Sequence, residues 1–160
     1  MRLVDDRVVY AASDLNDYLA CSHLVALSRR ATARGDRLPE EDPALAIIAR
    51  KGREHERSVL ERLARDGVAV VQVPEGDSSP AALLHAVAMT RAAMASGAEA
   101  IYQASFLDGN WTGRADFLMR VDTPSKLGPW SYDVADEARD QREAAVPGAA
   151  LRVRGAGGCF

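Results

Sequence analysis

The sequence predicts an α/β fold in which helices pack against a sheet. Three observations carry this. Two long amphipathic stretches have recognisable start and stop residues, three closely spaced strand-like runs follow them, and a chain of 160 residues with 48% hydrophobic content can fill one modest core.

Taken in order, Ser13 can cap a helix over residues 14–30, with Leu15, Tyr18, Leu19 and Val25 on one side. "RGDRLPEEDP" reads as a polar loop. A second helix has Asp42 as its cap, Pro43 in its first turn and Gly67 just past its end. "VAVVQV" (68–73) is a short buried strand, and "PEGDSSP" is a loop. A third helix starts at Pro80 and stops before Gly97. Strands follow over 99–106, 111–121 and 130–136, the first two joined by a tight turn at "DGN" (108–110). From Glu137 onward the chain is rich in Ala, Gly and Arg and lacks an amphipathic period; a short helix before Pro147 is the most it suggests.

The charge balance argues against bulk attraction to nucleic acid. Twenty Lys and Arg face 23 Asp and Glu, a net of −3, so DNA binding needs a local patch. Arg29, Arg30, Arg34, Arg37, Lys51 and Arg53 are candidates, although Glu40, Glu41, Asp42 and Glu54 balance them as an ordinary solvated face. The two cysteines, Cys21 and Cys159, form no metal-spaced cluster. With neither signal peptide nor long apolar run in the sequence, a cytoplasmic setting and no membrane partner are expected.

Three residues carry possible chemistry. On the second helix Ile48, Gly52, His55, Val59 and Leu63 follow spacings of one face, which turns His55 toward the core. Alone, such a histidine is an ordinary core residue. Strand alternation puts Gly113, Ala115, Phe117 and Met119 on one face and Thr112, Arg114, Asp116 and Leu118 on the other. Asp136 ends the next strand, sharing parity with Trp130, Tyr132 and Val134; alone it reads as a strand-end cap. A buried carboxylate there is costly unless paired or bound to a cation. A helical His with Asp residues on two neighbouring strands suits Mg²⁺ or Mn²⁺, the imidazole leaning toward Mn²⁺.

Four blocks, "SDLNDYLACSHLVAL", "KGREHE", "IYQASFLDGNWTGRADFLMRV" and "PSKLGPWSYDVAD", resemble the RecB-like nucleases of the PD-(D/E)xK superfamily, in particular a bacterial group often fused to a helicase. The likeness runs from about Val9 to Asp136. It implies a restriction-endonuclease-like central mixed sheet flanked by helices, with residues 1–136 as a partial nuclease domain. It implies His55, Asp116 and Asp136 as metal ligands, Asp116 and Asp136 as catalytic, and metal-dependent cleavage of DNA in repair or recombination. Cys21 matches a cysteine that holds an iron–sulfur cluster in some relatives, but its three later partners are missing here, so no cluster is expected.

The chain departs from that pattern at two places. Asp136 is followed by Glu137 and Ala138, where the family has acid-x-Lys, and the downstream Gln-x-x-x-Tyr helix is missing. Alanine can neither orient a water nor offset phosphate charge. One lost dinucleotide after the Asp136 codon would account for both. Read one base out of phase, permitted codons for Asp136 to Arg139 spell Thr-Lys-Leu, and those for Ala149 to Ala156 spell Gln-Leu-Cys-Val-Tyr-Ala-Glu. If the gene's codons do not produce these residues in that frame, the idea fails. On this reading residues 137–160 are an aberrant, poorly ordered tail. The resulting expectation is a nuclease domain with impaired catalysis and an incomplete C-terminal part; the alternative is a non-catalytic remnant that binds nucleic acid or protein.

Overall fold

The computed structural model describes residues 1–36, 43–76 and 79–135, with residues 43–49 as backbone only. The fold is α/β: a four-stranded mixed sheet flanked by helices. Asp42, Asp136 and the tail over 137–160 lie outside the described residues.

The chain opens with a hairpin that the sequence reading missed, β1 (Arg2–Val4) against β2 (Arg7–Val9). Asp5 and Asp6 both take positive φ, 47° and 61°, in the two-residue turn. Aspartate tolerates this left-handed region, and the turn's twist matches that of the strands it joins.

The single helix expected over 14–30 is two. α1 (Ala12–Ala20) stops and α2 (Ser22–Arg34) begins around Cys21, whose backbone is extended at φ −162°, ψ 105°. Cys21 N–H closes α1 by donating to the Asp17 carbonyl, and Leu24 N–H opens α2 by donating to the Cys21 carbonyl. No proline or glycine marks the break. Nor is Ser13 the cap: Asp14 folds back so that its carboxylate accepts the Ala11 N–H at 2.7 Å. The same carboxylate pairs with the amino group of Met1 at 2.8 Å, and Asp14 is buried. Leu15, Tyr18 and Leu19 are exposed, not packed as the single-helix pattern implied. α2 runs on to Gly35, which takes φ 71° and returns its N–H to the last helical turn.

α3 (Pro43–Arg65) starts at its proline and ends at Gly67, φ 75°. The strand β3 (Val70–Gln72) lies at one edge of the sheet. Ser79 caps α4 (Pro80–Ala95) by accepting the Ala82 N–H at 3.2 Å, with Pro80 in the first turn and Gly97, φ 73°, just beyond the end. β4 (Ala100–Asp108), β5 (Trp111–Val121) and β6 (Ser131–Ala135) complete the sheet in the order β3-β4-β5-β6. β3 runs parallel to β4 and the other pairs are antiparallel; Gly109, φ 53°, turns β4 into β5.

α4 covers one face of the sheet. Ala86 and Ala93 pack with Val73, Ile101, Ala104, Ala115 and Leu118, small helix residues letting the backbone sit close to the strands. The end of α4 is tied down by three side chains: Trp130 Nε1, Arg120 Nη1 and Tyr132 Oη donate to the carbonyls of Met94, Gly97 and Ala98 at 3.2, 2.7 and 2.8 Å. They tie the end of the helix and the turn that follows it to β5, β6 and the loop between those strands. Among the described residues no helix is long and apolar enough to cross a membrane.

Candidate functional site

The site begins with a distortion. Gln103, in the middle of β4, takes φ +58°, a region that costs a residue of this kind about 1–3 kcal/mol. The pairing register runs unbroken on both sides of it, Tyr102 opposite Phe117 and Ala104 opposite Ala115, which leaves Gln103 across from Asp116. The distortion shifts the alternation. Ile101 and Ala104 both join the cluster under α4, three residues apart instead of two or four, and so do Ala115 and Leu118. This corrects the strict alternation expected for β5, which put Ala115 with Phe117 and Leu118 with Asp116. The Phe117 ring instead packs at a 39° tilt against that of Tyr102, centroids 5.1 Å apart, and the Tyr102 hydroxyl reaches α3.

The face opposite α4 therefore carries Tyr102, Gln103 and Asp116, with one residue of α3 meeting them. Tyr102 Oη donates to Glu56 Oε2 at 2.6 Å, and Gln103 Nε2 donates to the same oxygen at 2.8 Å. Nε2 also reaches Asp116 Oδ1 at 3.3 Å, so one amide group bridges two carboxylates from two elements. Both carboxylates can only accept, and this fixes which end of the amide faces them. Gln103 is 91% buried, and its Oε1 is a buried acceptor without a donor. An unsatisfied polar atom of this kind costs about 1–3 kcal/mol. Burial and the hydrogen bond to the Glu56 carboxylate both favour the neutral phenol, pushing Tyr102 up from 10.0 to about 12.

Neither Glu56 nor Gln103 was singled out by the sequence pattern. The inward stripe of α3 is Gly52, Glu56, Val59, Leu60 and Leu63, all half-buried. From Gly52 a helical face continues equally well at three or four residues, to His55 or to Glu56. The structure takes the second path. His55 is exposed, contrary to the core-facing placement read from spacing. Asp116 is half-buried on β5, beside its neighbours from α3 and β4. Asp136 lies outside the described residues. The signal that could have marked Glu56 is its pairing with His55 at adjacent positions of "GREHE", where a quarter-turn of helix decides which side chain faces the sheet. For Gln103 no such signal exists, because local sequence does not announce a left-handed glutamine in a strand.

Among the described residues no group of three His, Cys, Asp or Glu side chains gathers to hold a metal ion. The third polar group beside Glu56 and Asp116 is the Gln103 amide, which presents its nitrogen to them. A cleft of about 280 Å³ opens elsewhere, beside Arg2, Gly76, Ala82, Ser105 and Arg114, and neither carboxylate lines it. Cys21 is a free, exposed thiol. No family model, curated protein or solved structure matches the chain.

Proposed function

We propose that the chain is a RecB-like, metal-dependent DNA nuclease domain of restriction-endonuclease-like fold whose catalysis is impaired. One observation carries the reading: a strained, buried glutamine links a helix carboxylate and a strand carboxylate on the face of a mixed sheet opposite α4. Strain and buried polar groups that reduce stability are commonly retained where a site needs them. Two carboxylates share one buried amide whose oxygen lacks a donor, so these residue types suit Mg²⁺ or Mn²⁺ once that amide presents Oε1 to the ion. When bound, such an ion supplies an activated water and neutralises charge developing on a phosphate.

The chain's own residues divide the remaining work. Asp116 is held on a central strand, and its position is set by the β4–β5 register. Glu56 is held by Tyr102 and Gln103 together. His55 and Asp136 are the further ligands that the family resemblance proposes, with Asp136 catalytic alongside Asp116. Ala138 stands where a lysine would orient the water, and an aliphatic methyl cannot do this. Loss of a positioned charged group commonly costs about 10²–10³ in rate. A place in cytoplasmic DNA repair or recombination, beside a helicase, goes with this reading.

The test uses the full chain on duplex and single-stranded DNA with Mg²⁺ or Mn²⁺. Cleavage should be near background, should rise about 100-fold in Ala138→Lys, and should vanish in Asp116→Asn. Absence of both metal-dependent cleavage in Ala138→Lys and Asp116-dependent Mn²⁺ binding overturns the proposal.

The alternative, a non-catalytic DNA-holding remnant, draws on Arg29, Arg30 and Arg34, all exposed on α2. It requires salt-sensitive DNA binding that persists without metal and in Asp116→Asn.

A further inference from the structure

We infer that Gln103 is a cation ligand held in reserve: its amide bridges Glu56 and Asp116 through Nε2, and turns over to present Oε1 when a divalent ion binds. The inference rests on the metal-site reading above and adds a ligand set, Glu56, Gln103 and Asp116, that family resemblance did not supply.

Three facts of geometry lead there. The strained backbone at Gln103 places its side chain on the face of Tyr102 and Asp116, whereas an undistorted strand would send it under α4. Nε2 sits between two carboxylate oxygens at 2.8 and 3.3 Å, which leaves those oxygens no more than about 6 Å apart. An amide donor within reach of both carboxylates offsets their mutual repulsion, as a cation held by the same oxygens would. Meanwhile Oε1, the end of the same amide that can bind a cation, is buried and without a donor.

The two ends exchange by rotation about the last side-chain torsion. That torsion is broad and nearly two-fold, and oxygen and NH₂ are almost the same size, so no backbone movement is needed. Mg²⁺ binds oxygen at about 2.1 Å, so the surrounding side chains must draw in by about an ångström. Side-chain torsions of Glu56 and Asp116 can supply this. No bond forms or breaks within the protein, and no proton moves: Nε2 releases two acceptors and Oε1 gains the ion.

The experiment is a Mg²⁺ titration of the isotopically labelled full chain, following Asp116 Cγ and the Gln103 Nε2 and Cδ signals by NMR. If both residues shift together to saturation, with the Gln103 NH₂ protons moving upfield as they leave the carboxylates, the inference holds. If Asp116 shifts while Gln103 stays still, the inference is wrong and the metal-site reading stands. If neither responds, no cation binds, and both fall. In a second measurement, Mn²⁺ affinity by EPR should weaken at least tenfold in Gln103→Leu. Equal or tighter binding there shows that the amide only competed with the ion, and overturns the inference. Should Gln103→Leu fail to fold, the wild-type titration decides alone.

Discussion

Tyr102 Oη donates to Glu56 Oε2 at 2.6 Å, joining the second strand of the sheet to the helix that faces it. Burial and this bond raise the phenol to about 12, above its ordinary 10.0. A group whose folded value exceeds its unfolded value stabilises fully below the unfolded value and loses that contribution as pH rises through the folded one. The chain should therefore keep the contribution to about pH 10 and lose it progressively toward pH 12. Absorbance at 295 nm and thermal melts across this window, compared with Tyr102→Phe, test it. A Tyr102 titration near 10 in the folded protein contradicts the arrangement.

The left-handed backbone at Gln103 allows a comparison that isolates strain. Ala and Gly both remove the amide bridge, but only Gly is at ease at φ +58°. Gln103→Gly should be more stable than Gln103→Ala by about 1 kcal/mol, against the usual order in a strand interior. Denaturant midpoints of the two variants provide the check, and Ala at or above Gly removes the claim of strain.

Thr90 is fully buried on α4, and its hydroxyl accepts the Ser105 N–H at 2.9 Å while donating to the Ala86 carbonyl. Valine has the same shape without the acceptor. Thr90→Val should lose about 1–3 kcal/mol, because the Ser105 N–H is then buried without a partner. Thr90→Ser, which keeps the hydroxyl, should lose less. Chemical unfolding distinguishes the two.

At the far end of α4 the Trp130 ring lies against Gly97 and Gly128, with a Cβ on Gly97 meeting the ring at 3.2 Å at a backbone φ of 73°. Gly97→Ala combines crowding with a left-handed backbone and should destabilise by about 1–2 kcal/mol. Trp130→Phe keeps an aromatic ring but loses the bond to the Met94 carbonyl, and should cost about 1 kcal/mol. The two changes touch one contact, so the double variant should fall short of the sum. Additivity in a melt of all three would show that the ring does not seat as described.

By itself the sequence determined the elements whose cause is local. Pro43 and Pro80 begin helices because a fixed φ and a missing N–H suit a first turn. Gly67 and Gly97 follow helix ends because they alone take positive φ without strain, and the Gly109 turn sets the β4–β5 hairpin. Asp116 was visible as a carboxylate inside a strand. Only the tertiary structure decided which residues meet it. Whether α3 turns His55 or Glu56 to the sheet depends on about 100° of helix rotation, and packing, not spacing, selects that angle. Gln103 turns to the same face only because contacts 47 positions away in the chain help hold a backbone conformation that it would not adopt alone. The break at Cys21 and the exposure of Leu15, Tyr18 and Leu19 follow the same logic. An amphipathic pattern specifies that a face is apolar, but a second element must arrive to bury it.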